Sequence, residues 1–223
     1  MNFLNASLKV IYDKVIYYIV APTNNNNISQ NNLEKDSKII DKEPSFIECS
    51  ASDIDPNTNL CNQNDRLFKK MPYMIQLKWF FNEPTYILNN IYLGSSHNAA
   101  NKKLLNDKNI KYIINVTNEI DNYYPNDFTY VNYKLNDNNE EPIIHYLEDS
   151  YKKIKSFQKN NNGNILVHCF MGASRSATII AYYLIRENNM DPMDAYLYLK
   201  EKRDLVNPTK LFYKDLKNII KRS

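Results

Sequence analysis

One stretch, residues 165–184, constrains the fold of this chain more than any other. The apolar run 165–168 follows a turn-forming sequence, residues 161–164, and predicts a buried strand. From Ser176 onward nearly every residue is apolar, which predicts a buried helix. A strand that passes through a short loop into a helix turns several backbone N–H groups toward one small concavity. This segment therefore predicts a binding site for an anion such as phosphate.

The loop residues suit that chemistry one by one. Cys169 is expected at the base of the concavity, facing the helix N-terminus and Arg175, and comparable settings lower a cysteine pKa to roughly 3.5–7.5. Gly172 can adopt backbone angles that are closed to other residues. Arg175 has a planar fork that can bind two phosphate oxygens. Ser174 and Ser176 flank this arginine, and Ser176 is expected either to cap the helix or to donate to the sulfur.

Length and charge set limits on the rest of the chain. A chain of 223 residues can hold one good-sized domain plus extensions. The net charge of +3 is small and the basic residues are scattered, which argues against nucleic-acid binding. Three cysteines give no disulfide framework, and a thiolate nucleophile needs a reducing compartment. We therefore expect a cytoplasmic protein, with the nucleus as the second choice.

The N-terminal third is predicted to lie outside the catalytic domain. Residues 1–22 have apolar side chains at helical spacing and predict an amphipathic helix that packs on its own domain or docks on a partner or a membrane surface. Charged residues interrupt this pattern, so no apolar run approaches the roughly 18–20 residues that span a membrane. Residues 23–65 are rich in asparagine and predict a disordered linker. Cys49 and Cys61 in this linker are interpreted as plain thiols, with a regulatory disulfide to Cys169 as the lesser alternative.

The remaining sequence divides into a short apolar segment and a domain. Residues 66–83, which include Trp79, predict an extra packing element, with a docking surface for a phosphoprotein as the alternative. Over residues 84–223 predicted strands and helices alternate, which is typical of an α/β domain with a central, mostly parallel sheet flanked by helices. The predicted strands are 86–88, 91–93, 111–116, 129–135 and 165–168, and a hairpin turn is predicted at Asn89-Asn90 between the first two. Helices are predicted at 97–109, 142–159, 191–202 and 208–221 besides the one that follows the loop.

Residues 168–176, His-Cys-Phe-Met-Gly-Ala-Ser-Arg-Ser, resemble the H-C-x-x-G-x-S-R-S signature of the dual-specificity protein phosphatases. This family is a branch of the cysteine-dependent tyrosine phosphatases. Segments 86–95, 113–117 and 135–137 are similar to its opening strands, its next strand and the segment that carries its general acid. The similarity extends over about residues 84–220, so the chain resembles the small, atypical members of the family.

The resemblance implies a reaction and assigns roles to residues. Cys169 would attack a phosphate monoester and form a cysteinyl-phosphate intermediate. Asp137 matches the general acid, and the same carboxylate would activate water in the second step. His168 and Ser176 are expected to support the thiolate. The rival carboxylates are Asp121, Asp127 and Asp149.

The loop is expected to bind the phosphate without a metal or another cofactor, because its amides and Arg175 supply the positive field. None of its residues is a lysine, whereas similar phosphatases of inositol lipids or RNA 5′ ends tend to carry extra basic groups there. The expected substrates are therefore phosphoproteins that carry phosphotyrosine and phosphoserine or phosphothreonine. A phosphatase of lipid or RNA and an inactive phosphopeptide-binding module are the alternatives. The expected phosphate-binding residues are Phe170, Met171, Gly172, Ala173, Ser174 and Arg175.

Overall fold

The computed structural model describes residues 73–137, 141–160 and 162–220. The predictions for residues 1–22 and 23–65, including Cys49 and Cys61, lie outside these ranges, as do residues 66–72 of the apolar segment. Within these ranges no helix combines the length and the apolar character that a membrane span requires.

The described part of the chain forms a five-stranded sheet with helices on both faces. The strands are β1 (Thr85–Leu88), β2 (Ile91–Gly94), β3 (Ile110–Asn115), β4 (Thr129–Asn132) and β5 (Asn164–His168). The helices are α1 (Tyr73–Phe81), α2 (Ser96–Ala100), α3 (Lys102–Asp107), α4 (Ile144–Asn160), α5 (Arg175–Asn188), α6 (Pro192–Lys202) and α7 (Lys210–Ile220). The sheet order is β1-β2-β5-β3-β4, and every neighbouring pair is parallel except the β1–β2 hairpin. The prediction of an α/β fold with a mostly parallel sheet is confirmed.

Strand β5 lies in the middle of the sheet and is buried on both faces. Its residues 165–167 are fully buried, which explains why they form an apolar run and not an alternating pattern. Side chains of α4 to α7 cover one face of the sheet, and those of α2 and α3 contribute to the other. At the end of the strand, His168 pairs with Gly94 of β2 and Asn115 of β3. The loop that follows therefore opens at the carboxyl edge of the parallel strands, where ligands bind in such folds.

Two local predictions have clear structural outcomes. The β1–β2 turn is made by Asn89 and Asn90, whose φ angles of 44° and 64° are the left-handed values that a tight hairpin requires. The single helix predicted over 97–109 is wrong, because the structure has α2 and α3 in its place. Asn101 separates them, since its side chain accepts a hydrogen bond from Leu104 N at 3.0 Å and caps α3.

The strand predicted over 129–135 is shorter in the structure. The β3–β4 ladder ends at Asn132, although Tyr133 N still donates to Asn115 O at 2.8 Å. Further along, the carbonyl of Leu135 accepts a hydrogen bond from Arg175 Nη1 at 2.9 Å and does not pair with another strand. The end of the predicted strand thus supports the loop that follows β5.

Candidate active site

The sulfur of Cys169 lies at the floor of the loop between β5 and α5. The residue is buried, and its Sγ accepts hydrogen bonds from Gly172 N and from Ser176 Oγ, each at 3.2 Å. These two donors and the positive potential at the N-terminus of α5 can stabilise negative charge at this position. Of the two roles predicted for Ser176, the structure has the hydrogen bond to sulfur, because the helix begins at Arg175 with Ser174 at the N-cap position.

The loop carbonyls point away from this sulfur. The carbonyl of Phe170 accepts from Ser96 N at 3.0 Å, and that of Ala173 accepts from Asn207 N at 2.8 Å. The carbonyls of Met171 and Gly172 both accept from Arg203, at 3.1 and 3.0 Å. A planar trans peptide directs its C=O and the following N–H in opposite directions. The N–H groups of residues 171–174 therefore turn toward the concavity, as an anion site requires.

Gly172 is required by the shape of the loop. Its φ is +71°, which side chains rarely tolerate. A Cβ at this position would lie 2.5 Å from the carbonyl oxygen of Gly94. The close approach of the loop to β2 leaves no room for any other residue.

Arg175 is buried beside the loop, and only some of its N–H groups donate hydrogen bonds. Its Nη1 donates to Glu119 Oε2 at 2.8 Å and to Leu135 O at 2.9 Å, and its Nη2 donates to Glu119 Oε1 at 2.7 Å. A guanidinium has five N–H donors. In the described part of the chain the Nε–H and one N–H of Nη2 have no hydrogen-bond partner, although Nε lies 3.6 Å from Asp137 Oδ2. These two donors lie on one edge of the guanidinium, and they can bind two phosphate oxygens.

Glu119 is a site residue that the sequence analysis missed. It forms a two-point ion pair with Arg175 and fixes the plane of the guanidinium. Burial alone would raise the pKa of Glu119, but the hydrogen bonds and charge of Arg175 lower it overall. Its position in the sequence could have indicated this role. Glu119 follows β3 closely, and the carboxyl ends of parallel strands meet at one edge of a sheet. Glu119 is a positioning residue because it contacts Arg175 and not the sulfur.

We expect Glu119→Gln to lower kcat by about tenfold, because an amide cannot hold both terminal nitrogens of Arg175 as a carboxylate does and small misplacements are costly. Steady-state kinetics on an aryl phosphate would measure this loss. Glu148→Gln is the matched control, since Glu148 also pairs with an arginine, Arg186, but on an exposed surface. Equal kcat values for the wild type and Glu119→Gln would remove the positioning role.

Asp137 lies at the mouth of the loop. Its Oδ1 accepts a hydrogen bond from Ser174 Oγ at 2.8 Å, and its Oδ2 lies 3.6 Å from Arg175 Nε. The side chain remains 30% exposed. The surrounding loop nevertheless removes enough water to raise the pKa of Asp137, against the opposing effects of Arg175 and Ser174. A carboxyl group that keeps its proton to higher pH than usual, beside Ser174 and Arg175 of the candidate anion site, is suited to proton donation.

The other predicted residues have distinct positions. His168 is buried with Nδ1 3.3 Å from the carbonyl of Cys169, and burial lowers its pKa to about 4, so the ring is neutral at pH 7.

The rival acids contact groups away from the loop: Asp127 pairs with Lys102 at 2.8 Å and Asp149 accepts from Tyr133 at 2.6 Å. For Asp121 no contact with the loop is found among the described residues. Across the described ranges, no three His, Cys, Asp or Glu side chains are grouped as metal ligands.

Known proteins with similar sequences share this region. The family described as "Dual specificity phosphatase, catalytic domain" matches residues 91–222. Human protein phosphatase Slingshot homolog 2 is 37% identical over 143 residues, which are 64% of this chain and 10% of that protein. Dual specificity protein phosphatase 1 of Arabidopsis thaliana is 32% identical over 140 residues, which are 63% of this chain and 70% of that protein. The match with Slingshot thus spans about a tenth of that relative's length.

Solved structures share the fold. The crystal structure of the human tyrosine phosphatase-like serine/threonine/tyrosine-interacting protein matches with a TM-score of 0.59 at 27% sequence identity. The match covers 63% of this chain and 97% of that one. The sheet and helices described above are therefore a known architecture over nearly the whole length of the human protein.

Proposed function

Because this chain belongs to the dual specificity phosphatase family through its residues 91–222, we propose that it is a protein phosphatase acting on phosphotyrosine and on phosphoserine or phosphothreonine. The observation that carries the proposal is the environment of the Cys169 sulfur. It is buried, accepts hydrogen bonds from Gly172 N and Ser176 Oγ, and lies at the N-terminus of α5. A thiolate held in this way, within a ring of inward N–H groups, is suited to attack a bound phosphate.

In the first step, the Cys169 thiolate forms a bond to phosphorus while the bond from phosphorus to the substrate oxygen breaks. The Nε–H of Arg175, the second N–H of Nη2 and the loop N–H groups bind the phosphoryl oxygens as they gain charge. Asp137 gives its proton to the departing oxygen, which would otherwise leave as an alkoxide or phenoxide. The products are a neutral alcohol or phenol and a cysteinyl-phosphate.

In the second step, water attacks the phosphorus of the cysteinyl-phosphate. The Asp137 carboxylate takes a proton from this water, and the bond between sulfur and phosphorus breaks. Inorganic phosphate leaves, Cys169 returns as a thiolate, and Asp137 is protonated again. The Ser176 hydroxyl, 3.2 Å from the sulfur, stabilises the returning negative charge.

Two features support phosphoproteins as the substrates. The loop residues 170–174 include no lysine, and Arg203, which lies beside them, donates to the outer carbonyls. A more highly charged lipid or RNA phosphate would require additional inward cations.

A thiolate nucleophile is preserved only under reducing conditions, so the proposal includes a cytoplasmic or nuclear location.

The direct test is hydrolysis by the purified full chain, with reductant and a chelator. The substrates are one peptide sequence carrying phosphotyrosine, phosphoserine or phosphothreonine, a phosphatidylinositol phosphate and a 5′-triphosphorylated RNA. Release of phosphate from the tyrosine peptide and from a serine or threonine peptide supports the proposal. Hydrolysis of the lipid or RNA alone overturns it, as does binding of phosphopeptides without turnover.

We expect Asp137→Asn to lower kcat on an alkyl phosphate by about 10²-fold, because the departing alkoxide then receives no proton. On an aryl phosphate with an acidic phenol the loss is smaller, since that leaving group needs less protonation. In the wild type, the rate on alkyl phosphates should fall as the pH rises through the raised pKa of Asp137, because only the protonated form is a donor. The variant should lack this basic limb in its pH–rate profile. An unchanged profile would assign the acid to another group.

A further inference from the structure

We propose that Arg203, held between the loop and Trp79, is a positioning residue of the phosphate site, and that α1 is thereby part of the active-site scaffold. The inference rests on the proposed phosphatase function and deepens it. Arg203 lies at the end of α6, well separated in sequence from the loop, and its side chain is completely buried.

One side of the guanidinium contacts the loop. Arg203 Nε donates to Gly172 O at 3.0 Å, and Nη2 donates to Met171 O at 3.1 Å. These carbonyls belong to the peptides whose N–H groups, on Gly172 and Ala173, turn into the concavity. A cation bound to a carbonyl polarises its peptide and makes the opposite N–H a stronger donor. Arg203 thus orients and polarises two donors of the anion site without touching the anion.

The other side of the guanidinium contacts α1. Nη2 also donates to Trp79 O at 3.0 Å, and the guanidinium carbon lies 5.3 Å from the centre of the Trp79 ring. The carbonyl is near the C-terminus of α1, where the helix dipole is negative and favours a cation. The indole ring adds a cation–π contact. Trp79 therefore stabilises Arg203 in the position that the loop requires.

The end of α1 is itself fixed to the domain. Ser95 Oγ donates to Phe80 O at 2.7 Å, and Asn98 Nδ2 donates to Asn82 O at 2.7 Å. The buried ring of Phe80 lies 5.7 Å from that of Phe170, the first residue after Cys169. The helix α1 thus contacts the loop directly through Phe170 and indirectly through Arg203.

The charge of Arg203 supports a role in anion binding. Its hydrogen-bond partners in the described part of the chain are neutral oxygens: three carbonyls and, at 3.5 Å, the hydroxyl of Thr85. Burial lowers the pKa of Arg203 to about 10, while Cys169 opposes the shift, so the group stays charged at neutral pH. A buried cation without a carboxylate partner attracts the negative charge of the thiolate and of a bound phosphate.

The test compares Arg203→Met and Trp79→Ala with the wild type in the full chain. The first variant removes the charge at similar length, and the second removes the ring but keeps the backbone carbonyl. The control is Arg186→Met, because Arg186 also stacks on aromatic rings, those of Tyr151 and Tyr182, but far from the loop. For each variant we would measure the Kd of tungstate by calorimetry, the rate of Cys169 alkylation by iodoacetamide against pH, kcat, KM and Tm.

We expect Arg203→Met to weaken tungstate binding and to lower kcat by about tenfold each, with the alkylation midpoint moved to higher pH. Trp79→Ala should weaken tungstate binding and lower kcat by about threefold each, and it should also move the alkylation midpoint to higher pH. Arg186→Met should leave them unchanged. A purely structural role would lower Tm without moving the alkylation midpoint of the folded fraction.

The inference is overturned if folded Arg203→Met and Trp79→Ala bind tungstate and alkylate as the wild type does. If Arg203→Met does not fold, Arg203→Lys takes its place, since lysine keeps the charge but lacks the planar guanidinium. The inference is then overturned if both Arg203→Lys and Trp79→Ala bind tungstate and alkylate as the wild type does. Failure of the proposed function can be told apart from failure of this inference. A wild type that binds tungstate but hydrolyses no phosphopeptide would refute the phosphatase function, and tungstate binding by the variants could still be compared with that of the wild type.

Discussion

Replacement of Cys169 by serine is expected to reduce the kcat for an aryl phosphate by roughly 10⁴-fold or more, because the nucleophile is lost. In the wild type Gly172 N and Ser176 Oγ donate hydrogen bonds to the sulfur, and a thiolate is the attacking species. A serine hydroxyl keeps its proton at neutral pH, and no described base contacts this position to remove it. The fall should be seen in a metal-free assay with reductant.

The control for this variant is anion binding. Cys169→Ser leaves the loop amides and Arg175 in place, so tungstate or a phosphopeptide should still bind, and calorimetry would measure the affinity. Loss of both activity and binding would indicate that the substitution had disrupted the loop. Cys169→Ala would then replace Cys169→Ser as the test of the nucleophile. Retained turnover in a folded, anion-binding variant would contradict the mechanism.

Arg175→Lys is expected to lower kcat by about 10²–10³-fold, because the two donors aimed at the phosphate are lost in the transition state. Lysine keeps the charge but is a point cation with rotatable donors. It cannot pair with both oxygens of Glu119, donate to Leu135 O and still present an edge of two N–H groups to the anion. The loss should therefore come from geometry and not from net charge.

Two measurements separate that explanation from general destabilisation. Tm reports the loss of the buried ion pair, and kcat at a temperature well below Tm reports the chemistry. Arg186→Lys, an exchange of the same residue types on the same helix, should leave kcat unchanged because Arg186 pairs with Glu148 at the surface. A kcat within about twofold of wild type for folded Arg175→Lys would show that charge alone suffices.

Local segments of the fold were predictable because their information is contiguous. The apolar run that forms β5 and the apolar helix α5 enclose the loop, so Cys169, Gly172 and Arg175 were recognisable together before any tertiary contact was known. The hairpin at Asn89 and Asn90 was predicted for the same reason, since its turn residues are adjacent. The failed prediction of one helix over 97–109 shows the limit, because apolar spacing alone did not reveal the cap at Asn101.

Asp137 was predicted as the general acid only because the segment around it resembles that of a known family. A carboxylate in a polar loop has no sequence pattern that separates catalysis from solvation, and three other aspartates competed for the role. Its contacts with Ser174 and Arg175 depend on how the chain leaves β4 and returns toward α5. That path is a property of the assembled sheet.

The sequence by itself determined the sheet class, the strand–loop–helix unit and the candidate nucleophile, because each depends on residues that are close in the chain and on periodicity that burial imposes. Only the tertiary structure decided which groups hold that unit in its working shape. Glu119 orients Arg175 from the end of β3, and Arg203 secures the loop from the end of α6 with Trp79 behind it. These groups meet because parallel strands bring their carboxyl ends to one edge and helices pack beside it, and no local pattern records which distant side chains will converge there.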